Sequence, residues 1–135
     1  MPFAPGASPT ILVVDDEPEV LNLVKLTLEA AGYPVLVASN GQQALAFFKN
    51  RSHSIDLLLT DINMPDTSGL ELACQASETL PHLPVMFMTG CRSESPHIEF
   101  LRREGPFSDC KVICKPFTSP ELLGTVTAIL STSQR

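Results

Sequence analysis

The 135 residues predict an α/β domain: five parallel strands in one sheet, with helices covering both faces. Two observations carry that expectation and a third bounds it. Short apolar runs alternate along the chain with segments at helical spacing. The runs are apolar throughout, as in strands buried on both faces, without the polar alternation of a half-wetted sheet. The length suits one domain with a substantial core.

Residues 1–9 hold three prolines and a glycine and read as a flexible leader. TILVVDD (10–16) is a β-branched run ending in acid. PEVLNLVKLTLEAAG (18–32) spaces Val20, Leu21, Val24, Leu28 and Ala31 as a helix does, with Gly32 as its stop. PVLVAS is the second strand. NGQQALAFFKN opens a helix with Asn40 as N-cap and Gln43 three residues on, a capping-box pattern. SIDLLLTD (54–61) is the third strand, and SGLELACQASETL (68–80) the helix after it, with Pro81 and Pro84 marking the exit.

PVMFMTG (84–90) is the fourth strand. CRSESPHIEFLRREG (91–105) is a helical candidate interrupted by Pro96 and closed by Gly105-Pro106. CKVIC is the fifth strand, ending at Lys115-Pro116. Thr118 to Leu130 is the last helix, with Thr118-x-x-Glu121 as a second capping box. The expected organisation is a leader over 1–9, one domain over 10–131 and a tail over 132–135.

Bulk chemistry narrows the function classes. At 44% hydrophobic and 18% charged residues, the composition is that of a globular domain and not a disordered chain. A net charge of −6 offers no basic footprint, so direct nucleic-acid binding is not expected. No apolar run approaches the roughly 18 residues a membrane span requires. The first residues lack the basic and apolar regions of a secretory signal, and a cytoplasmic location is expected. The four cysteines (Cys74, Cys91, Cys110, Cys114) form no Cys-x-x-Cys pair and are expected to be free, partly buried thiols. His53, His82 and His97 lack ligand spacing.

The chemistry collects where strands end. The first strand runs into Asp15-Asp16, the third into Asp61, the fourth into Thr89 and the fifth into Lys115. Each has an ordinary explanation on its own: an Asp after a strand caps a helix or starts a turn, Thr favours strands, Lys favours surfaces. In a parallel sheet, however, all five share one edge and open on one crevice. Three carboxylates gathered there repel, and the single charge of Lys115 cannot neutralise them all. A hard divalent cation with oxygen ligands, most naturally Mg2+, offsets the remainder and is a usual partner of phosphate. Asp61 is thus a candidate nucleophile forming an aspartyl-phosphate, with Thr89 and Lys115 available to bind its phosphoryl oxygens.

In order and in spacing, ILVVDDEPEV, DLLLTDINMPDTSGLEL, PVMFMTG and CKPF resemble the receiver domain of two-component response regulators over about residues 10–131. The resemblance implies a flavodoxin-like doubly wound (βα)5 fold of strand order 2-1-3-4-5. It implies Asp61 as phosphoacceptor, taking phosphate from a histidine kinase, a histidine phosphotransfer protein or a small acyl phosphate. Asp16 would ligate Mg2+ directly and Asp15 through water, with the backbone carbonyl of Asn63 completing the protein's share. Thr89 would swing toward the phosphate, and Lys115 would pair with it beside a cis bond to Pro116. The chain would signal through an output partner or a further domain, and would catalyse only its own phosphorylation and dephosphorylation.

Two departures from the family pattern stand out. Val112 occupies the place of a usual Tyr or Phe, and the stretch from Thr89 to Lys115 is longer than usual, with Pro96 inside it. Asn63 and Cys91 stand at the positions that commonly tune phosphate lifetime, and Cys91 implies no unusually fast autodephosphorylation. Three alternatives compete. A Mg2+-dependent phosphohydrolase of the haloacid-dehalogenase type would carry Asp where Asn63 stands. A flavodoxin-like cofactor binder would need a phosphate-cradling loop where DDEPE is acidic. A degenerate receiver would bind partners without phosphorylation, an alternative resting on Val112 and the unusual segment before it.

Overall fold

The computed structural model describes residues 9–49, 55–62, 68–80, 83–90 and 111–132. Five strands form one parallel sheet: β1 (Ile11–Val14), β2 (Val35–Ala38), β3 (Leu57–Asp61), β4 (Val85–Thr89) and β5 (Lys111–Cys114). Four helices lie within the described residues: α1 (Pro18–Ala30), α2 (Gly41–Lys49), α3 (Gly69–Thr79) and α4 (Ser119–Thr132). The strand order is β2-β1-β3-β4-β5, and the predicted helix over 91–105 lies outside the described residues.

Period-two alternation of fully buried strand residues divides the core in two. Leu12, Val14, Leu58 and Phe87 point to one face, where Ala44 and Phe48 of α2 and Leu72, Ala73 and Ala76 of α3 cover them. Ile11, Val13, Leu57, Leu59, Met86 and Met88 point to the other, against Val24 and Leu28 of α1 and Leu122, Val126 and Leu130 of α4. This explains why the strands read as unbroken apolar runs. Each fully buried Leu or Met contributes about 1.5–3 kcal/mol of transfer free energy, which anchors the strands whose ends carry the polar residues.

The helix signals were local and came out as local chemistry. The Asn40 side chain accepts the Gln43 N–H at 2.8 Å, while Gln43 Oε1 accepts from the Ser39 N–H, one residue before the cap. Thr118 and Glu121 exchange bonds reciprocally, at 3.2 Å and 2.8 Å. Ser68 caps α3 by accepting the Glu71 N–H at 3.1 Å. Gly32, at φ 97, supplies the left-handed turn that ends α1.

Topology fixes where a ligand can sit. The chain moves from β1 to β2 on one side, then crosses back to β3 on the other, so the direction of winding reverses between β1 and β3. Loops leaving adjacent strands part there in opposite directions and open a crevice beyond the strand ends. The register pairs Val14 with Thr60, Asp61 with Met88 and Thr89 with Cys114, so Asp15, Asp61, Thr89 and Lys115 stand along one rim.

Candidate functional site

Asp15 directly follows β1 and is fully buried, while Asp61 closes β3 at 6% exposure. Asp16 is exposed. One carboxylate oxygen from each of Asp15, Asp16 and Asp61 lies within 4.8 Å of the others. Thr89 ends β4, also buried, and its carbonyl accepts the Lys115 N–H at 2.7 Å. That bond fixes the backbone from which the lysine side chain departs toward the acids.

The Lys115 ammonium stands among three carboxylates. It is 2.7 Å from Asp15 Oδ2, 3.0 Å from Glu17 Oε1 and 3.2 Å from Asp61 Oδ2. Of the three, Glu17 and Asp61 receive aligned hydrogen bonds. Asp15 Oδ1 accepts the Glu17 N–H at 2.9 Å, but Asp15 Oδ2, although close to the ammonium, receives no properly directed bond. Burial on its own would lower the Lys115 pKa. The close Asp15 carboxylate, the hydrogen bond to Glu17 and the charge of Asp61 outweigh it and hold the pKa above the ordinary lysine value.

Asp15 Oδ2 is buried, with the undirected contact of the Lys115 ammonium at 2.7 Å to offset its lost hydration. A carboxylate oxygen of Asp15 meets one from Asp16 and one from Asp61 in an all-oxygen cluster, the donor set a hard divalent cation requires. The residues present fit such an ion. The cluster opens into a cleft of about 630 Å³ whose wall adds Val20, Leu23 and Phe117 to Asp61 and Lys115.

One close packing holds Asp61 in place. Gly69 begins α3 directly against the end of β3, and its N–H donates to the Ile62 carbonyl at 2.7 Å. A Cβ at position 69 would collide with the Asp61 carbonyl oxygen and press on Ile62 Cα. Glycine is required here because two stretches of backbone meet.

The structure therefore brings Asp15, Asp16, Asp61 and Lys115 together, with Thr89 on the same rim. Asn63 and Cys91 lie outside the described residues. The Lys115–Pro116 bond is cis, as the family resemblance implied. Val112 is half-buried and packs against the α2–α3 core. The cysteine expectation is corrected in part: Cys74 is free but exposed, and Cys114 is disulfide-bonded, with a partner outside the described residues. β5 is an edge strand that leaves Cys114 uncovered, beyond the apolar surroundings the sequence had suggested. Sequence reasoning also missed the Glu17–Lys115 pair and the clearance at Gly69. The first was visible as a third acid in the Asp15-Asp16-Glu17 run; the second left no signal, Gly69 being read only within the helix over 68–80.

The family's sequence model, described as "Response regulator receiver domain", matches residues 11–127. The chain belongs to the response regulator receiver family. Receivers of this kind recur among its relatives. The phosphate regulon transcriptional regulatory protein PhoB of Pseudomonas aeruginosa is 38% identical over 123 residues, covering 90% of this chain and 51% of that protein. The response regulator receiver protein CpdR of Brucella abortus is 35% identical over 120 residues, covering 89% and 95%. The chain spans about half the length of most curated relatives it matches, while matching CpdR nearly end to end. Among solved structures, response regulator protein TrrA of Thermotoga maritima, in complex with Mg2+-BeF, is 30% identical. It superimposes at a TM-score of 0.74 over 90% of this chain and 98% of its own.

The observed order 2-1-3-4-5 is the flavodoxin-like arrangement expected of a receiver. Among the described residues, no helix is long and apolar enough to cross a membrane.

Proposed function

We propose that Asp61 is the phosphoacceptor of this receiver domain. The observation that carries the reading is Asp61 at the end of a fully buried strand, its carboxylate shared between Lys115 and the Asp15–Asp16 pair. An Asp61 carboxylate oxygen attacks the phosphorus of a phosphohistidine or an acyl phosphate. The new O–P bond forms as the bond to the donor's nitrogen or oxygen breaks, and the donor leaves with that electron pair. Lys115 offers N–H donors to the transferred oxygens, and the Thr89 hydroxyl a further one from the neighbouring strand. Asp15, Asp16 and Asp61, with the Asn63 backbone carbonyl, would hold Mg2+, which when bound supplies positive charge to the phosphoryl oxygens.

The phosphodonor is a histidine kinase or a histidine phosphotransfer protein, and the product shifts an equilibrium between two conformations of the domain. Output goes to a partner or to a domain joined to the receiver. Relatives such as PhoB, named as transcriptional regulators and about twice as long, support the second route; CpdR supports the first. The receiver itself is placed over residues 10–131.

Intact-mass measurement with acetyl phosphate and Mg2+ tests the reading. One phosphoryl adduct is expected on the wild type, and none on Asp61→Asn. No adduct with any donor would leave a degenerate receiver that binds its partners unphosphorylated. Steady turnover of phosphate esters would instead identify a phosphohydrolase.

A further inference from the structure

We infer that Glu17 is a latch on Lys115, holding the ammonium in the unphosphorylated domain and releasing it to the incoming phosphoryl group. The inference rests on the assignment of Asp61 as phosphoacceptor. Lys115 divides its bonds unevenly. It donates to the exposed Glu17 and to Asp61, while the buried Asp15 Oδ2, the nearest of the three oxygens, receives no aligned bond. A buried carboxylate has the stronger claim on such a donor, because water cannot satisfy it in its place. The orientation of the ammonium is thus set in part by Glu17.

Glu17 differs from the other two acids around Lys115. Its side chain is 59% exposed, against 0% for Asp15 and 9% for Asp61, so water can take over its solvation the moment it lets go. Its carboxylate does not belong to the oxygen cluster of Asp15, Asp16 and Asp61 that suits a cation. It stands at the N-cap of α1, a position that Ser, Thr, Asp and Asn serve with their short side chains, and its own longer side chain makes no capping bond. Only its backbone serves the helix, accepting the Leu21 N–H at 3.1 Å. The side chain spans instead to the far side of the crevice. Of the three partners, Glu17 is the one that can leave without uncovering a buried charge, and its departure frees an N–H for the phosphoryl oxygen.

Glu17 is therefore a positioning residue with a retarding effect. Its removal speeds phosphorylation without touching metal affinity. The test is the rate of adduct formation with acetyl phosphate and saturating Mg2+, with Mg2+ affinity measured separately by calorimetry. Glu17→Gln should label about two- to fivefold faster, the range an exposed ion pair commands. Glu19→Gln, which removes an equal charge from the same helix, should label at the wild-type rate. In a Lys115→Met background, Glu17→Gln should bring no gain, and Mg2+ affinity should stay unchanged throughout.

An equal gain in Glu19→Gln, or a gain that survives in Lys115→Met, would reduce the effect to general field strength and overturn the latch. Weakened Mg2+ binding in Glu17→Gln would make the residue a metal ligand, also overturning it. A wild type that never labels removes the phosphoacceptor assignment itself, a failure separable from any result on Glu17.

Discussion

The two halves of the sheet's carboxyl rim are built differently. At the β1–β3 half, Asp15 and Asp61 are buried, and the Asp61 backbone is wedged against Gly69. At the β5 half, Lys115 is anchored through its backbone to Thr89, but its side chain crosses to meet an exposed Glu17. One half fixes Asp61, the proposed nucleophile; the other keeps a cation within reach on a long, adjustable stem. A nucleophile gains from rigid placement, since a displacement of an ångström is expensive in rate. In the proposed transfer the cation would meet one set of oxygens before it and another after it, and a lysine with three rotatable donors suits that task.

Breaking the fixed half should give the largest effects. Asp61→Asn retains the shape but not the nucleophile, and adduct formation by intact mass should fall below detection. Gly69→Ala should come next. The added methyl presses on backbone that cannot turn aside, so a loss of roughly 1–3 kcal/mol is expected in urea unfolding, with slower labelling of Asp61. Gly124→Ala is the control: a Cβ there meets open space on α4, and the change should leave stability equal or raise it by up to about 1 kcal/mol. Should both glycines respond alike, the Gly69 effect would reflect helix propensity alone and not the wedge.

The carboxylate cluster proposed to hold Mg2+ belongs to the fixed half and faces the adjustable one. Mg2+ should raise the melting temperature in a concentration-dependent way, because an ion that binds only the folded form stabilises it by mass action. Asp15→Asn should weaken that response, and its metal-free stability should fall less than its Mg2+-bound stability, because it also removes a buried carboxylate oxygen with no bonded partner. A thermal scan with and without Mg2+ reads both. A full Mg2+ response in Asp15→Asn would remove the residue from the metal site.

Legibility in the sequence divides along the same line as the rim. The fold was readable because the three central strands are buried on both faces, so their apolar runs are unbroken and end abruptly at a polar residue. Asp15, Asp61 and Thr89 were found as those endings, and Lys115 as that of the fifth strand. Capping at Asn40 and Thr118 was also local, a side chain serving backbone a few residues away. What escaped was contact between segments distant in the chain. Glu17 meets Lys115 across 98 residues, and no spacing rule specifies that pairing. Gly69 carried no mark in its own segment because the constraint on it comes from β3, not from its own φ. The exposure of Cys114 escaped because an edge position follows from strand order, which composition does not encode.

The smallest expected effect sharpens the adjustable half. The folded pKa of Lys115 lies above the ordinary value of 10.5, raised by its acidic neighbours against the pull of burial. A raised lysine contributes stability that is complete below the unfolded pKa and is lost only as pH climbs through the folded one. The window is therefore strongly alkaline. From pH 6 to 9 the ammonium keeps its charge in the folded and unfolded states alike. The stability difference between wild type and Lys115→Met should accordingly stay flat over that range in urea unfolding. A difference that shrank steadily between pH 7 and 9 would mean that Lys115 titrates near neutrality. Its carboxylate neighbours would then be too weakly coupled to hold the cation ready.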